Sequence, residues 1–132
     1  MTFKVIQKIR GKARPRLGKY GAYKVKEDRN DERRIKEAYL SSGGELLEGY
    51  IKINIDMYFK LNKNETKKSR DLKIKNILRP NKRPDIDNSI KLYLDALNKV
   101  AYKDDTQVVE ISAKKMYANT DEDYTIITIE QI

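Results

Sequence analysis

The clearest hydrophobic pattern in the chain is a strict alternation between residues 50 and 61. The apolar positions of this segment are Ile51, Ile53, Ile55, Met57 and Phe59, and lysine, asparagine, aspartate and tyrosine lie between them. A period of two residues is typical of a β-strand with one face buried in the core and the other exposed. We therefore predict a half-buried strand from Tyr50 to Leu61.

Two segments have the spacing of an amphipathic helix. The first begins near Asn30, where Asn30 or Asp31 can cap it, and stops at the glycine pair Gly43-Gly44. The second runs from about Ile86 to Val100, and its apolar stripe consists of Ile90, Leu94, Leu97 and Ala101. These segments predict two main helices whose apolar faces pack on the core.

Shorter apolar segments complete a predicted sheet. Phe3, Val5 and Ile6 indicate a strand near the N-terminus, the residues after Gln107 indicate another, and a turn near residues 119–123 leads to a last strand from Tyr124 to Ile129. A chain of 132 residues suits one domain with one core. We predict a single α+β domain over residues 1–132, with a mixed sheet of about four strands packed by two main helices.

Two basic segments show no such periodicity. Three glycines and a proline between Gly11 and Tyr23 oppose regular structure, so this segment is predicted to be a loop. Arg14, Arg16 and Lys19 can contact phosphates, and Tyr20 and Tyr23 either stack on unpaired bases or pack beneath the loop. Residues 62–83 are predicted to be mainly a long basic loop, with Leu72, Ile74, Ile77 and Leu78 forming at most one short helix.

Positive charge is concentrated in these two regions. The formal net charge is +9, residues 1–26 contain nine basic residues and no acid, and residues 60–83 contain ten basic residues against Glu65 and Asp71. Such blocks are typical of nucleic-acid-binding proteins. A charged surface that only keeps the protein in solution is the alternative.

Composition also narrows the chemistry. The chain has no cysteine and no histidine, which excludes disulfides, cysteine zinc sites, thiol nucleophiles and imidazole bases. No apolar run approaches the roughly 18 residues of a membrane span, and the N-terminus lacks the apolar core of a signal peptide. We therefore expect a cytoplasmic protein without a membrane partner.

Four aspartates stand out against this basic background. Asp85 and Asp87 flank the start of the second helix, and Asp104 and Asp105 follow its end. Clustered carboxylates beside basic residues favour a metal placed against a phosphate. Two helical residues two positions apart point about 200° away from each other, so Asp85 and Asp87 converge only if Asp85 is still extended.

The same residues permit a purely structural interpretation. Asp85 can cap the helix, and Asp87 can complement the helix dipole. Lys91 lies one helical turn after Asp87, where it can stabilise an oxyanion or simply pair with Asp87 or Asp95. The spacing alone leaves both interpretations open.

Three motif blocks resemble the RusA family of Holliday-junction resolvases. They are Arg83-Pro84-Asp85-Ile86-Asp87-Asn88-Ser89-Ile90-Lys91, Leu94-Asp95-Ala96-Leu97-Asn98, and Tyr102-Lys103-Asp104-Asp105-Thr106-Gln107-Val108-Val109 with Lys114-Lys115 beyond. Arg14-Pro15-Arg16, Gly21 and Tyr23 are similar to the family's N-terminal substrate loop. Ser89 departs from the pattern, because an apolar residue is usual there, and residues 62–78 have no counterpart in it.

This resemblance implies a homodimeric endonuclease that depends on Mg²⁺, with Mn²⁺ as a substitute, and that nicks four-way junction DNA symmetrically in recombination and repair. Such enzymes are often carried by phages and prophages. The implied metal ligands are Asp85, Asp87 and Asp105, with Lys91 as the catalytic lysine, Asn88 and Asp104 in support, and DNA contacts from Arg14, Arg16, Lys19, Lys82 and Arg83. The alternatives are a non-catalytic nucleic-acid-binding module and a metal-dependent nuclease for flap or fork DNA.

Overall fold

The central layer of the structure is a four-stranded mixed sheet. The computed structural model describes residues Met1–Ile132. The strands of the sheet are β1 (Thr2–Ile6), β4 (Ile51–Lys60), β5 (Val108–Ala118) and β6 (Tyr124–Gln131), and a separate hairpin consists of β2 (Arg16–Gly18) and β3 (Gly21–Tyr23). The strand order of the sheet is β1-β6-β4-β5, and β4 pairs parallel with β5 and antiparallel with β6.

One core lies between this sheet and two helices. The alternating apolar residues of β4 are all buried, which confirms the strand predicted from their period. They pack with Ile35 and Tyr39 of α1 (Lys26–Ser41) and with Leu92 and Leu97 of α3 (Ile86–Leu97). The α+β class with two main helices on a four-stranded mixed sheet is therefore confirmed.

The start of α1 differs from the prediction. The helix begins at Lys26 with Val25 at the N-cap, so neither Asn30 nor Asp31 caps it. Asp28, Asp31 and Glu32 are instead buried on its inner face, where Asp31 and Glu32 pair with Arg10 and Lys12, and Asp28 accepts from the Ala13 N–H. These contacts with the N-terminal segment, which the local sequence does not reveal, accompany the earlier start of the helix.

The buried face of α3 is also broader than the predicted stripe. Ser89, Leu92, Tyr93, Ala96 and Leu97 are buried, whereas Ile90 and Leu94 are only half-buried. The helix lies against α1 and also contacts β5, so neighbours cover a wider arc than a single stripe requires.

Both predicted basic loops contain regular structure. The segment 11–23 forms the β2–β3 hairpin, and the segment 62–83 contains α2 (Lys67–Ile74), capped by the Thr66 hydroxyl, which accepts from the Ser69 N–H at 3.2 Å. Ile77 and Leu78 lie outside α2 and are exposed. None of the three α-helices has the length and apolar character that crossing a membrane requires.

Candidate active site

The N-terminus of α3 presents two carboxylates that have no partner within the chain. Asp85 occupies the N-cap position with extended backbone (φ −64°, ψ 140°), and Asp87 lies in the first turn, which is the arrangement predicted for convergence. The Asp85 side chain makes no capping hydrogen bond, and neither carboxylate forms an ion pair. The capping role considered for Asp85 therefore lacks its hydrogen bond, whereas Asp87 in the first turn is placed where it complements the helix dipole.

Lys91 is likewise unpaired. It is exposed on α3, one turn after Asp87, and no carboxylate lies within ion-pair distance of its ammonium group. Asp95, one of its two predicted partners, pairs with Lys12 of the N-terminal segment instead. Lys91 is thus free to contact a ligand.

The N-terminal segment lies directly against this end of α3. The Lys12 N–H donates to the Asn88 carbonyl at 3.0 Å, and the Ser89 hydroxyl donates to the Arg10 carbonyl at 3.1 Å. A Cβ atom on Gly11 would lie 2.8 Å from the Cβ of Asn88, so only glycine allows this approach. Ser89 is buried and needs its hydroxyl for this contact, which explains a serine where the family resemblance leads us to expect an apolar residue.

A cleft of about 790 Å³ opens where these elements meet. Asp85 and Asn88 line it together with Glu27 and Asp28 of α1. The remaining charged residues of its wall are all basic, namely Lys8, Arg10, Lys12, Arg16 and Arg83. A cleft lined by five basic and three acidic residues suits a phosphate that is bound next to a cation.

Acidic residues of α1 hold the N-terminal segment in place. Glu32 lies 3.7 Å from Lys12 and 2.9 Å from Lys24, and Asp28 accepts from the Ala13 N–H at 3.0 Å. Asp31 faces Arg10 and Arg34, and its pKa is raised because burial outweighs the opposing effect of these two arginines. This cluster was not predicted from the sequence, although acids at positions 28, 31 and 32 have the spacing of one helical face.

Asp104 and Asp105 lie beyond the other end of α3. The chain turns back at Lys99, whose N–H donates to the Tyr102 carbonyl at 2.7 Å, and Asp105 begins a short 3₁₀ turn, Asp105–Gln107. Gln107 fixes this turn. Its Oε1 accepts from the N–H groups of Lys103 (2.8 Å) and Asp104 (3.1 Å), and its Nε2 donates to the carbonyls of Leu47 (3.3 Å) and Gly49 (3.1 Å).

The two aspartates of this turn interact with each other. A hydrogen bond with the Asp105 carboxyl group lowers the pKa of Asp104. Burial raises the pKa of Tyr102, and the charge of Asp105 raises it further. The Tyr102 hydroxyl donates to the Leu94 carbonyl at 2.6 Å and so ties this turn to α3.

The two ends of the predicted site are far apart in a single chain. Asp85 and Asp87 lie at the start of α3, whereas Asp104 and Asp105 follow its end, and a helix of 12 residues is about 18 Å long. No group of three or more acidic residues lies close enough to hold a metal ion. The structure brings Asp85, Asp87 and Asn88 together with the basic segment, but it does not bring Asp105 to them within one chain.

The predicted DNA contacts lie on two basic surfaces. Arg14, Arg16 and Lys19 are exposed on or beside the hairpin, and none of them forms an ion pair. Lys82 and Arg83 are exposed just before Asp85, and Lys115 donates to the Lys82 carbonyl at 2.7 Å.

The segment 60–83 keeps nearly all of its positive charge available. Of its ten basic residues, only Lys73 forms an ion pair, with Glu65 at 2.8 Å. The same lysine lies 4.6 Å from the centre of the Tyr117 ring on β5, and Arg70 of α2 donates to the Asn119 side chain at 2.9 Å. The segment is therefore held against β5, while its basic residues other than Lys73 and Arg70 are exposed.

Fold and cleft together define a small α+β domain with an acidic group beside two basic surfaces. The sequence profile described as Endodeoxyribonuclease RusA matches residues 7–130. The chain belongs to the RusA endodeoxyribonuclease family. It is also 36% identical over 75 residues to the uncharacterized protein YqaN of Bacillus subtilis (strain 168), a match that covers 55% of this chain and 53% of that protein. The chain thus matches about half the length of this relative.

Proposed function

We propose that this protein is a divalent-metal-dependent endonuclease that resolves four-way DNA junctions by paired, symmetric nicks in recombination and repair. One observation carries the proposal. Asp85 and Asp87, both without intramolecular partners, stand at the start of α3, and Asp85 lines a cleft that also contains five basic residues, in a member of a nuclease family.

The donor chemistry of these residues fits Mg²⁺ or Mn²⁺. Both prefer hard oxygen ligands, and Mg²⁺ is commonly held by one or two carboxylates together with waters and substrate phosphates. Asp85 and Asp87 would hold the cation, which when bound polarises the scissile phosphate. Lys91, one turn along the same helix, would stabilise the negative charge that develops on that phosphate.

A second copy of the chain would complete this site. Because Asp105 and Asp85 lie beyond opposite ends of a helix about 18 Å long, one chain does not join them. In a two-fold dimer the same patches meet reciprocally, so the Asp104–Asp105 turn of one copy can face Asp85 and Asp87 of the other. Two equivalent sites then result, which matches a reaction that nicks two strands symmetrically.

The basic surfaces would bind the DNA around this site. Arg14, Arg16 and Lys19 would contact phosphates beside the cleft, because none of them is neutralised by a carboxylate of the chain. Lys82 and Arg83 precede Asp85 directly and would hold the backbone close to the scissile position. The basic residues around α2 extend this surface along a duplex arm.

The first test is nicking of a synthetic four-way junction. We expect nicking that depends on Mg²⁺ and that Asp87→Asn abolishes, while junction binding in EDTA remains, because the carboxylate is needed for chemistry rather than for binding. A mobility shift without any nicking would instead favour a non-catalytic nucleic-acid-binding module. Faster nicking of flaps or forks than of junctions would favour a metal-dependent nuclease for flap or fork DNA.

A mixing experiment tests the shared site. Asp87→Asn and Asp105→Asn would each be inactive alone, but a mixed dimer would contain one site with both mutations and one intact site. We therefore expect that mixing the two inactive variants, followed by subunit exchange, restores single nicks. If each site is instead built from one chain, the mixture stays inactive, and the shared site is refuted.

A further inference from the structure

The tip of the β2–β3 hairpin exposes two large apolar side chains. Tyr20 is 95% exposed and Leu17 is 86% exposed, although they are only three residues apart. Single apolar residues on a surface are ordinary, but an aromatic and an aliphatic side chain together on a projecting tip suggest a binding partner. Of the two interpretations that the sequence left open, packing beneath the loop is therefore excluded for Tyr20.

The base of the same hairpin is held firmly. Glu32 pairs with Lys12, which precedes the hairpin, and with Lys24, which follows it, so one carboxylate fixes both of its ends. Within the hairpin the ring of Tyr23 covers Gly18, where an added Cβ would lie only 2.9 Å from the ring. Tyr23 thus braces the hairpin, while Tyr20 remains free at its tip.

The charges around the tip identify the chemistry of its partner. Arg14, Arg16 and Lys19 carry no carboxylate partner, and the Lys19 ammonium group lies 5.7 Å from the centre of the Tyr20 ring. The N-terminal 26 residues contain no acid at all. A partner that is polyanionic and also offers flat apolar faces is a nucleic acid with unpaired bases.

Continuous duplex does not offer such faces, because its bases are stacked on one another. A branch point interrupts the stack and exposes base faces at its centre, and apolar side chains can enter such a step. The hairpin is attached next to Asn88 and Ser89 of α3, so it projects from beside the candidate active site.

We propose that the β2–β3 hairpin is a wedge whose Tyr20 and Leu17 stack on unpaired bases at the branch of the DNA substrate. This inference rests on the proposed function and adds the means by which branched DNA is distinguished from duplex. Arg16 and Lys19 hold phosphates in either kind of DNA, whereas the two apolar side chains contribute only where the stack is open.

The test compares binding to a four-way junction and to a duplex of matched length, in EDTA, with 2-aminopurine placed beside the branch. Tyr20→Ala should weaken junction binding about 5- to 150-fold, the loss of one stacked base, and leave duplex binding and the salt dependence unchanged. The wild-type protein should change the fluorescence of 2-aminopurine on binding, and Tyr20→Ala should not. Tyr20→Phe should behave like the wild type, because the ring is kept.

Arg16→Ala is the matched control on the same hairpin. It should weaken binding to both DNAs and reduce the slope of log K against log salt by about 0.9, as expected for one lost phosphate contact. An unchanged ratio of junction to duplex affinity in Tyr20→Ala refutes the wedge. A change in the oligomeric mass of that variant also refutes it, since the tip would then be a protein interface. Failure of the wild type to nick any DNA would refute the proposed nuclease without deciding the wedge, which this binding assay measures separately.

Discussion

We expect that the side chain of Gln107 holds Asp105 in position, so that mutation of Gln107 displaces Asp105. The Gln107 side chain makes four hydrogen bonds of 2.8 to 3.3 Å, two to the backbone of the Asp104–Asp105 turn and two to the carbonyls of the loop before β4. No other side chain joins these two segments by hydrogen bonds. Gln107→Met keeps the length of the side chain and removes all four bonds.

The size of the effect follows from the number of bonds and their exposure. A hydrogen bond contributes about 0.5–1.5 kcal/mol net, and water can reach the freed backbone groups of this half-exposed turn, so each bond belongs at the low end of that range. Four such bonds correspond to about 2 kcal/mol. For a domain of 132 residues this lowers the melting temperature by about 6–8 °C.

Thermal unfolding followed by circular dichroism measures this stability, and junction nicking measures the position of Asp105. We expect Gln107→Met to reduce both. Gln107→Glu retains an acceptor for Lys103 and Asp104 but loses the donor, so it should be intermediate in melting temperature. The control is Gln131→Met, the same substitution at an exposed glutamine whose side chain makes no hydrogen bond. If Gln107→Met melts and nicks like this control, Gln107 does not hold the turn.

Three further expectations concern other parts of the chain. Ser89→Ala should cost about 1 kcal/mol and reduce nicking, because the partly buried hydrogen bond to the Arg10 carbonyl beside α3 is lost; melting temperature and nicking rate unchanged from the wild type would contradict this. Hydrogen bonds from Lys73 and Ser69 lower the pKa of Glu65, so the stability they confer is complete above its ordinary value of 4.5 and is lost as pH falls through the lowered value. The stability of Glu65→Gln should therefore fall less than that of the wild type as the pH is lowered through this range. If acid unfolding of the two proteins shows the same pH profile, the contribution of Glu65 is refuted. Lys67→Gln on α2 should reduce the salt slope of junction binding by about 0.9, whereas Lys36→Gln on α1 should not, and equal slopes would remove α2 from the DNA surface.

The sequence by itself determined the elements whose pattern is local. The alternation in β4 predicted a strand because every second residue must face one side of a sheet. The extended backbone at Asp85, followed by a helix that contains Asp87, was also predictable, because both depend on a few neighbouring residues. The motif blocks around these residues identified the family that the profile match later confirmed.

Tertiary contacts decided the features that join distant segments. The first turns of α1 contain acids that pair with Arg10 and Lys12 of the N-terminal segment. The segment 60–83 is held by contacts of Lys73 and Arg70 with β5 and the residue that follows it. The hydrophobic and polar pattern of each segment does not reveal which distant segment it contacts.

The arrangement of the four aspartates is the main case of this kind. Their order in the sequence suggested a single cluster, but the connection after α3 turns back at Lys99 and stays beyond the end of the helix. A helix of 12 residues, about 18 Å long, therefore lies in the chain between Asp85 at its start and the turn that carries Asp105. Spacing along a chain does not say which end of a helix a later residue reaches, because that depends on how the following turn packs.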